Sequence, residues 1–163
     1  LTVGEPDDSQ SARIKSLRKM ISAAAMHSPE NADIRQSLWS KLTLNIGSST
    51  LCVLTGIAVG EIANDPTLAK IRARITAEGV AIAKAHGVAV EGAPKRPGVP
   101  TPSIVGHKPS MLQDYEQARP MEVESQIMTP LAFAHGAGLE VPSFELAATL
   151  AARKAAEKGL YRP

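Results

Sequence analysis

The sequence holds 163 residues, 44% hydrophobic and 21% charged, the balance of one globular domain with its own core rather than of a disordered chain. A net charge of +2 is too small to draw the chain to nucleic acid or to an anionic membrane, and no apolar run approaches the roughly 20 residues that cross a bilayer. Aromatic residues make up only 3%, so the core is expected to rest on Ala, Leu, Ile and Val.

Residues 1–6 read as a short strand and a turn. A lone strand leaves its backbone groups without partners, so a segment is expected before Leu1. The acidic start, with Glu5, Asp7 and Asp8, lacks the basic end and apolar stretch of a secretory signal, and a cytoplasmic protein is expected. From Asp8 the pattern turns helical. Asp8 or Ser9 can cap, and Ile14, Leu17, Met20, Ile21 and Ala24 recur at helical spacing. Ser28-Pro29 has the order of a cap followed by a first-turn proline. Ile34, Leu38, Leu42 and Ile46 mark one side of a long helix past Trp39, which Gly47, Gly56 or Gly60 is expected to kink or end. Cys52 is the single cysteine, which excludes an internal disulfide. Its neighbours Leu51, Val53 and Leu54 predict a buried structural thiol.

Asp65-Pro66 opens a further helix, with Leu68, Ile71, Ile75 and Ile82 facing inward and Gly87 placed as its stop. Pro94, Pro97, Pro100, Pro102 and Pro109 cannot share a helix, so an extended loop is expected up to Ser110. Helical patterning resumes there, breaks at Pro120, and continues from about Met121 to Gly138. Ser143 is expected to cap a last helix with Leu146 and Leu150 on its apolar side and Lys154 and Lys158 near its end.

Two stretches could carry chemistry. Lys41, Asn45 and Ser48 or Ser49 fall on one face of a helix, because residues four apart are neighbours. On spacing alone this stripe is a solvated face before it is a site wall. Trp39 argues for the wall, since a large aromatic beside a lysine shields it from water. Ser110 stands where the loop becomes a helix, as a plain cap or as part of an anion site for a carboxylate. Glu122 follows Pro120 in a first helical turn, where the dipole favours a carboxylate anyway. The four histidines show no metal-ligand spacing, and no metal is expected. No G-x-G-x-x-G follows a strand, so no dinucleotide fingerprint is present.

Taken together, Trp39-Ser40-Lys41-Leu42 with Asn45, then Ser110-Met111-Leu112-Gln113-Asp114, then Arg119-Pro120-Met121-Glu122 resemble the C-terminal domain of the 2-dehydropantoate 2-reductase, or ketopantoate reductase, family. Gly4-Glu5-Pro6 resembles the strand by which that family's chain leaves its nucleotide-binding domain. The resemblance implies an all-α, multi-helix domain of the 6-phosphogluconate dehydrogenase C-terminal-like type. Residues 1–6 would be a strand left from a missing Rossmann domain, and residues 7–163 a helical substrate-binding and dimerisation domain.

It also implies NADPH, held mainly by the missing domain, as hydride donor to a 2-keto acid, with ketopantoate reduced to pantoate in pantothenate synthesis and a homodimer as the assembly. Lys41 matches the general acid. Glu122 matches an acid that orients the lysine and a substrate hydroxyl. Asn45 and Ser110 match groups that bind substrate oxygens, Ser110 at the carboxylate. Ser49 stands where the family commonly has a second asparagine, and Ile127-Met128 where it often has Asn-Gly. These departures leave a different 2-keto acid open. A stand-alone helical binding or dimerisation module is the further alternative, and by itself the chain is expected to be inactive.

Overall fold

A computed structural model of the chain describes residues 1–90 and 106–162. They form seven helices: α1 (Ala12–Ala23), α2 (Ile34–Thr55), α3 (Val59–Asn64), α4 (Pro66–Ala85), α5 (Ser110–Glu116), α6 (Thr129–Gly136) and α7 (Pro142–Glu157), with a π-helical turn, Glu124–Met128, leading into α6. No strand forms among the described residues. Residues 1–5 run without regular structure, contrary to the strand expected there, since no second strand offers its backbone a partner. The proline-rich loop from Pro94 to Pro102 lies outside the described residues; Pro109 is buried at the entry to α5.

α2 is the central element and packs against α3, α4, α5, α7 and the π-helical turn. Its start differs from the expectation. Pro29 is not helical; Asp33 caps α2 instead, accepting from the Gln36 N–H at 2.7 Å. Asp8, expected to cap α1, accepts from the N–H of Ile34 at 2.8 Å and so caps α2 from a distance. Ser11 caps α1, accepting from Ile14. Neither observed cap, Ser11 nor Asp33, was among the oxygens expected from local spacing; tertiary contacts decide which polar side chain meets each helix start.

α2 passes straight through Gly47 and stops at Gly56, whose φ of 76° closes the helix. Gly47 is a point of close approach rather than a kink. A β-carbon there would lie 2.2 Å from Thr76 Oγ1 on α4. α4 begins at Asp65-Pro66 as its sequence demands, with Asp65 accepting from Thr67 and Leu68 at 2.8 and 2.9 Å. It ends in a Schellman motif, with Val88 N–H donating to Ala83 and Gly87 N–H to Lys84, the arrangement that needs a residue with positive φ.

Ser143 does not cap α7. Val141, at the cap position, has no polar side chain, and Ser143 already lies in the first turn. Glu78 of α4 takes the role, accepting from the N–H groups of Ser143 and Phe144 at 3.1 and 2.6 Å. Leu146 and Leu150 are 64% and 50% exposed, opposite to their expected side. The buried face of α7 is Phe144 with Ala147, Ala148, Ala151, Ala152 and Ala155. Leucines and alanines both recur at helical period on this segment. The small face wins because α7 packs on both α2 and α4, and close-packed interiors leave no room there for a second large row. Lys154 reaches across to the carbonyls of Val53 and Leu54 at 2.8 and 3.0 Å, satisfying acceptors that the end of α2 leaves open.

The core joins Ile46, Val53, Ile62, Ile75, Ile82, Met111, Leu112, Val123, Ile127 and Phe144. Cys52 is buried among them, as its neighbours predicted, and burial pushes its thiol up to about 11. Since the thiolate is the nucleophile, Cys52 is expected to resist alkylation near neutral pH while the protein is folded and to label on denaturation. Mass spectrometry of iodoacetamide-treated protein checks this; rapid native labelling would contradict it.

α1 stands apart from that core and is held by polar contacts. Glu5 accepts from Ser11 Oγ at 2.5 Å and from Arg13 Nε at 3.1 Å, with an ion pair to the same guanidinium. The Arg13 hydrogen bond, then that of Ser11, holds the Glu5 carboxyl below its ordinary 4.5. A lowered folded value stabilises at pH above 4.5 and loses that contribution as pH falls through the folded value. The stability gap between wild type and Glu5→Gln is therefore expected to be full at neutral pH and to close in acid, read from denaturant midpoints across pH. A gap that widened in acid would contradict the ion pair.

Candidate active site

α2 places Leu38, Trp39, Lys41, Leu42 and Asn45 along one wall of a pocket of about 320 Å³, and Gln126 of the π-helical turn and Phe133 of α6 complete it. The volume suits a small molecule. Trp39 helps to form the wall, as expected of it. Leu38, expected to face inward with Leu42 and Ile46, is 60% exposed at this pocket instead.

The apolar side of the pocket continues into a ring cluster. Trp39 stacks on His86, centroids 6.1 Å apart and planes 13° from parallel, and Phe133 tilts against His86 at 5.1 Å. His86 Nε2 lies 3.1 Å from the Phe133 carbonyl oxygen, which can only accept, so that nitrogen carries the proton. The bond ties the end of α4 to α6 and sets the position of Phe133.

The polar side is a relay. Asn45 Nδ2 donates to Gln126 Oε1 at 2.8 Å, and Gln126 Nε2 donates to Glu122 Oε2. The carboxylate fixes the direction of the whole chain, because an ionised acid only accepts and so must face the amide nitrogen of Gln126. The Gln126 oxygen then faces Asn45. Asn45 keeps its Oδ1 and its second N–H for whatever enters the pocket.

The structure thus brings Lys41 and Asn45 together on the pocket wall, one helical turn apart, and links Glu122 to Asn45 through Gln126. Glu122 makes no ion pair with Lys41 among the described residues. Ser49 and Ser110 do not line the pocket. Ser49 is buried within α2, while Ser110 is exposed as the first residue of α5, where Pro109 holds the cap position.

Sequence reasoning missed Gln126, Phe133 and His86. Gln126 carried a signal, since it lies four residues past Glu122 and such pairs meet on a helix. The π-helical turn gave no signal of its own; such turns often mark functional sites. Among the described residues no cluster of metal-ligating side chains occurs and no helix is long and apolar enough to cross a membrane.

The described residues thus form an all-α domain with a lysine and an asparagine one turn apart on a pocket wall. The family model described as ketopantoate reductase PanE/ApbA C terminal matches residues 33–155, and the chain belongs to that family as its helical C-terminal domain. A 2-dehydropantoate 2-reductase of Mesorhizobium japonicum is 28% identical over 160 residues, 98% of this chain and 49% of the relative. The chain spans about half the length of the curated relatives it matches. Among solved structures, 2-dehydropantoate 2-reductase from Geobacter metallireducens superposes with a TM-score of 0.78 at 28% identity, covering 93% of this chain and 52% of that one. A D-mandelate dehydrogenase with NADH and anilino(oxo)acetate shares the fold, with a TM-score of 0.84 at 20% identity over 97% of this chain and 67% of that one.

Proposed function

We propose that the protein containing this chain reduces a 2-keto acid and that the α2 pocket holds the acid. The observation that carries this reading is the placement of Lys41 and Asn45 one turn apart on the wall of a small-molecule pocket. As a carbonyl carbon is attacked, its oxygen gains negative charge. A lysine ammonium at that oxygen stabilises the charge and supplies the proton that makes the alcohol. Asn45 offers its second N–H to the keto or carboxylate oxygen, and Glu122 holds Asn45 in that orientation through Gln126. Ser49 and Ser110 lie outside the pocket lining, so the proposal rests on Lys41, Asn45 and Glu122.

A reduced nicotinamide, NADPH in this reading, supplies the hydride when bound. The described residues do not fit the dinucleotide, since no glycine-rich turn joins a strand to a helix among them. Its site is assigned to a further domain of the same protein, which the length of the relatives supports. Membership of the family supports, as the first reading, ketopantoate as substrate and pantoate as product, in cytoplasmic pantothenate synthesis by a homodimer. A second reading, favoured by the apolar wall of Leu38, Trp39, Leu42 and Phe133, is a 2-keto acid with an apolar side chain.

The test is oxidation of NADPH and of NADH by the intact protein across a panel of 2-keto acids. Turnover with at least one of them is expected. No turnover with any would sink the proposal and favour a binding or dimerisation module.

A further inference from the structure

We infer that Gln126 sets the substrate choice of this pocket, and sets it against a 2-keto acid whose far end carries a hydroxyl. The inference rests on the reductase reading above, in its second form, a 2-keto acid with an apolar side chain. Its ground is geometric: Gln126 lines the pocket, and Glu122 does not. The Gln126 side chain stands between the two, with its nitrogen on the Glu122 carboxylate and its oxygen on Asn45.

A substrate lying against the α2 wall meets a neutral amide whose oxygen and one of whose N–H groups are already engaged. The charged acceptor that would best hold a hydroxyl is screened behind it. The remaining wall toward Phe133 consists of Leu38, Trp39 and Leu42. A hydroxyl placed against that wall finds no charged acceptor and an incomplete set of partners, which costs free energy wherever it gives up water. A methyl group in the same place loses nothing.

The matched pair for the test is ketopantoate and trimethylpyruvate, which differ only in that hydroxyl. In the intact protein, wild type is expected to favour trimethylpyruvate in kcat/KM. Gln126→Ala opens a path to Glu122 and is expected to shift the ratio toward ketopantoate by roughly 10- to 100-fold, the range of one hydrogen bond to a charged group. Loss of the Gln126 contact to Asn45 acts on both acids alike, so the readout is the ratio between them, with the gain for ketopantoate falling in KM. Adding Glu122→Gln to Gln126→Ala is expected to remove most of that gain, which a merely structural role for Gln126 would not produce. Thermal midpoints of all variants confirm that folded protein is compared.

A wild-type preference for ketopantoate, or a ratio that Gln126→Ala leaves unmoved, would overturn the inference while the reductase reading stands. Failure of the intact protein to reduce any 2-keto acid would overturn both.

Discussion

Lys41→Ala in the intact protein is expected to lower kcat for 2-keto acid reduction by about 100- to 10,000-fold, the usual contribution of a positioned general acid. The loss should appear in kcat and kcat/KM together, because the ammonium is needed most where charge develops on the keto oxygen. Lys41 is exposed on the wall of its pocket, so its removal leaves neither a core cavity nor a buried orphan group. The thermal midpoint should therefore hardly change. Pre-steady-state measurement of the hydride step separates a true loss of chemistry from slow product release. A variant with wild-type kcat would remove Lys41 from the mechanism.

The second large effect concerns the scaffold. Phe144→Ala is expected to destabilise the domain by about 3–5 kcal/mol, the range for emptying a buried phenylalanine site. Phe144 is fully buried, and the rest of the buried face of α7 is alanine. No large neighbour on that helix can fold into the space. Phe144 also lies in the first turn of the helix, with its N–H on Glu78, so a collapse at this point would disturb the cap as well. Leu150→Ala, at a side chain 50% exposed, serves as the control and should cost less than about 1 kcal/mol. Urea denaturation of the three proteins checks both. Equal costs at the two positions would mean that the helix is turned about its axis relative to the face described.

This contrast shows what the sequence made legible and what it did not. The existence of the long helix through Trp39, the helix opening at Asp65-Pro66 and the stop near Gly87 were readable, because each rests on a local rule of capping or periodicity. The buried side of α7 was not. Its leucine row and its alanine row share the helical period, and only the closeness of α2 and α4 decides which row faces them. The caps taken from a distance were equally invisible. Asp8 serves Ile34 and Glu78 serves Ser143 and Phe144, across 26, 65 and 66 residues of chain.

The candidate site divides in the same way. Four-residue spacing places Lys41 and Asn45 on one helix face without reference to the rest of the fold, but that spacing alone reads as a solvated face, and the family resemblance is what singles them out. Glu122 was reached by family resemblance, and its link to Asn45 needed Gln126, which lies on another element in a π-helical turn that sequence does not announce. Phe133 and His86 join the site through tertiary packing of α4 on α6. Spacing left Ser48 or Ser49 open and the family resemblance singled out Ser49, which is buried within α2 and does not line the pocket.

The most direct measurement is a crystal structure of the intact protein with oxidised nicotinamide cofactor and a 2-keto acid, the complex that cannot turn over. The keto oxygen is expected within about 2.6–3.2 Å of Lys41 Nζ, the reach of a proton donor, with Asn45 Nδ2 on a neighbouring substrate oxygen and the side chain of the acid toward Leu42 and Phe133. A keto acid bound away from α2, with Lys41 directed into solvent, would contradict it.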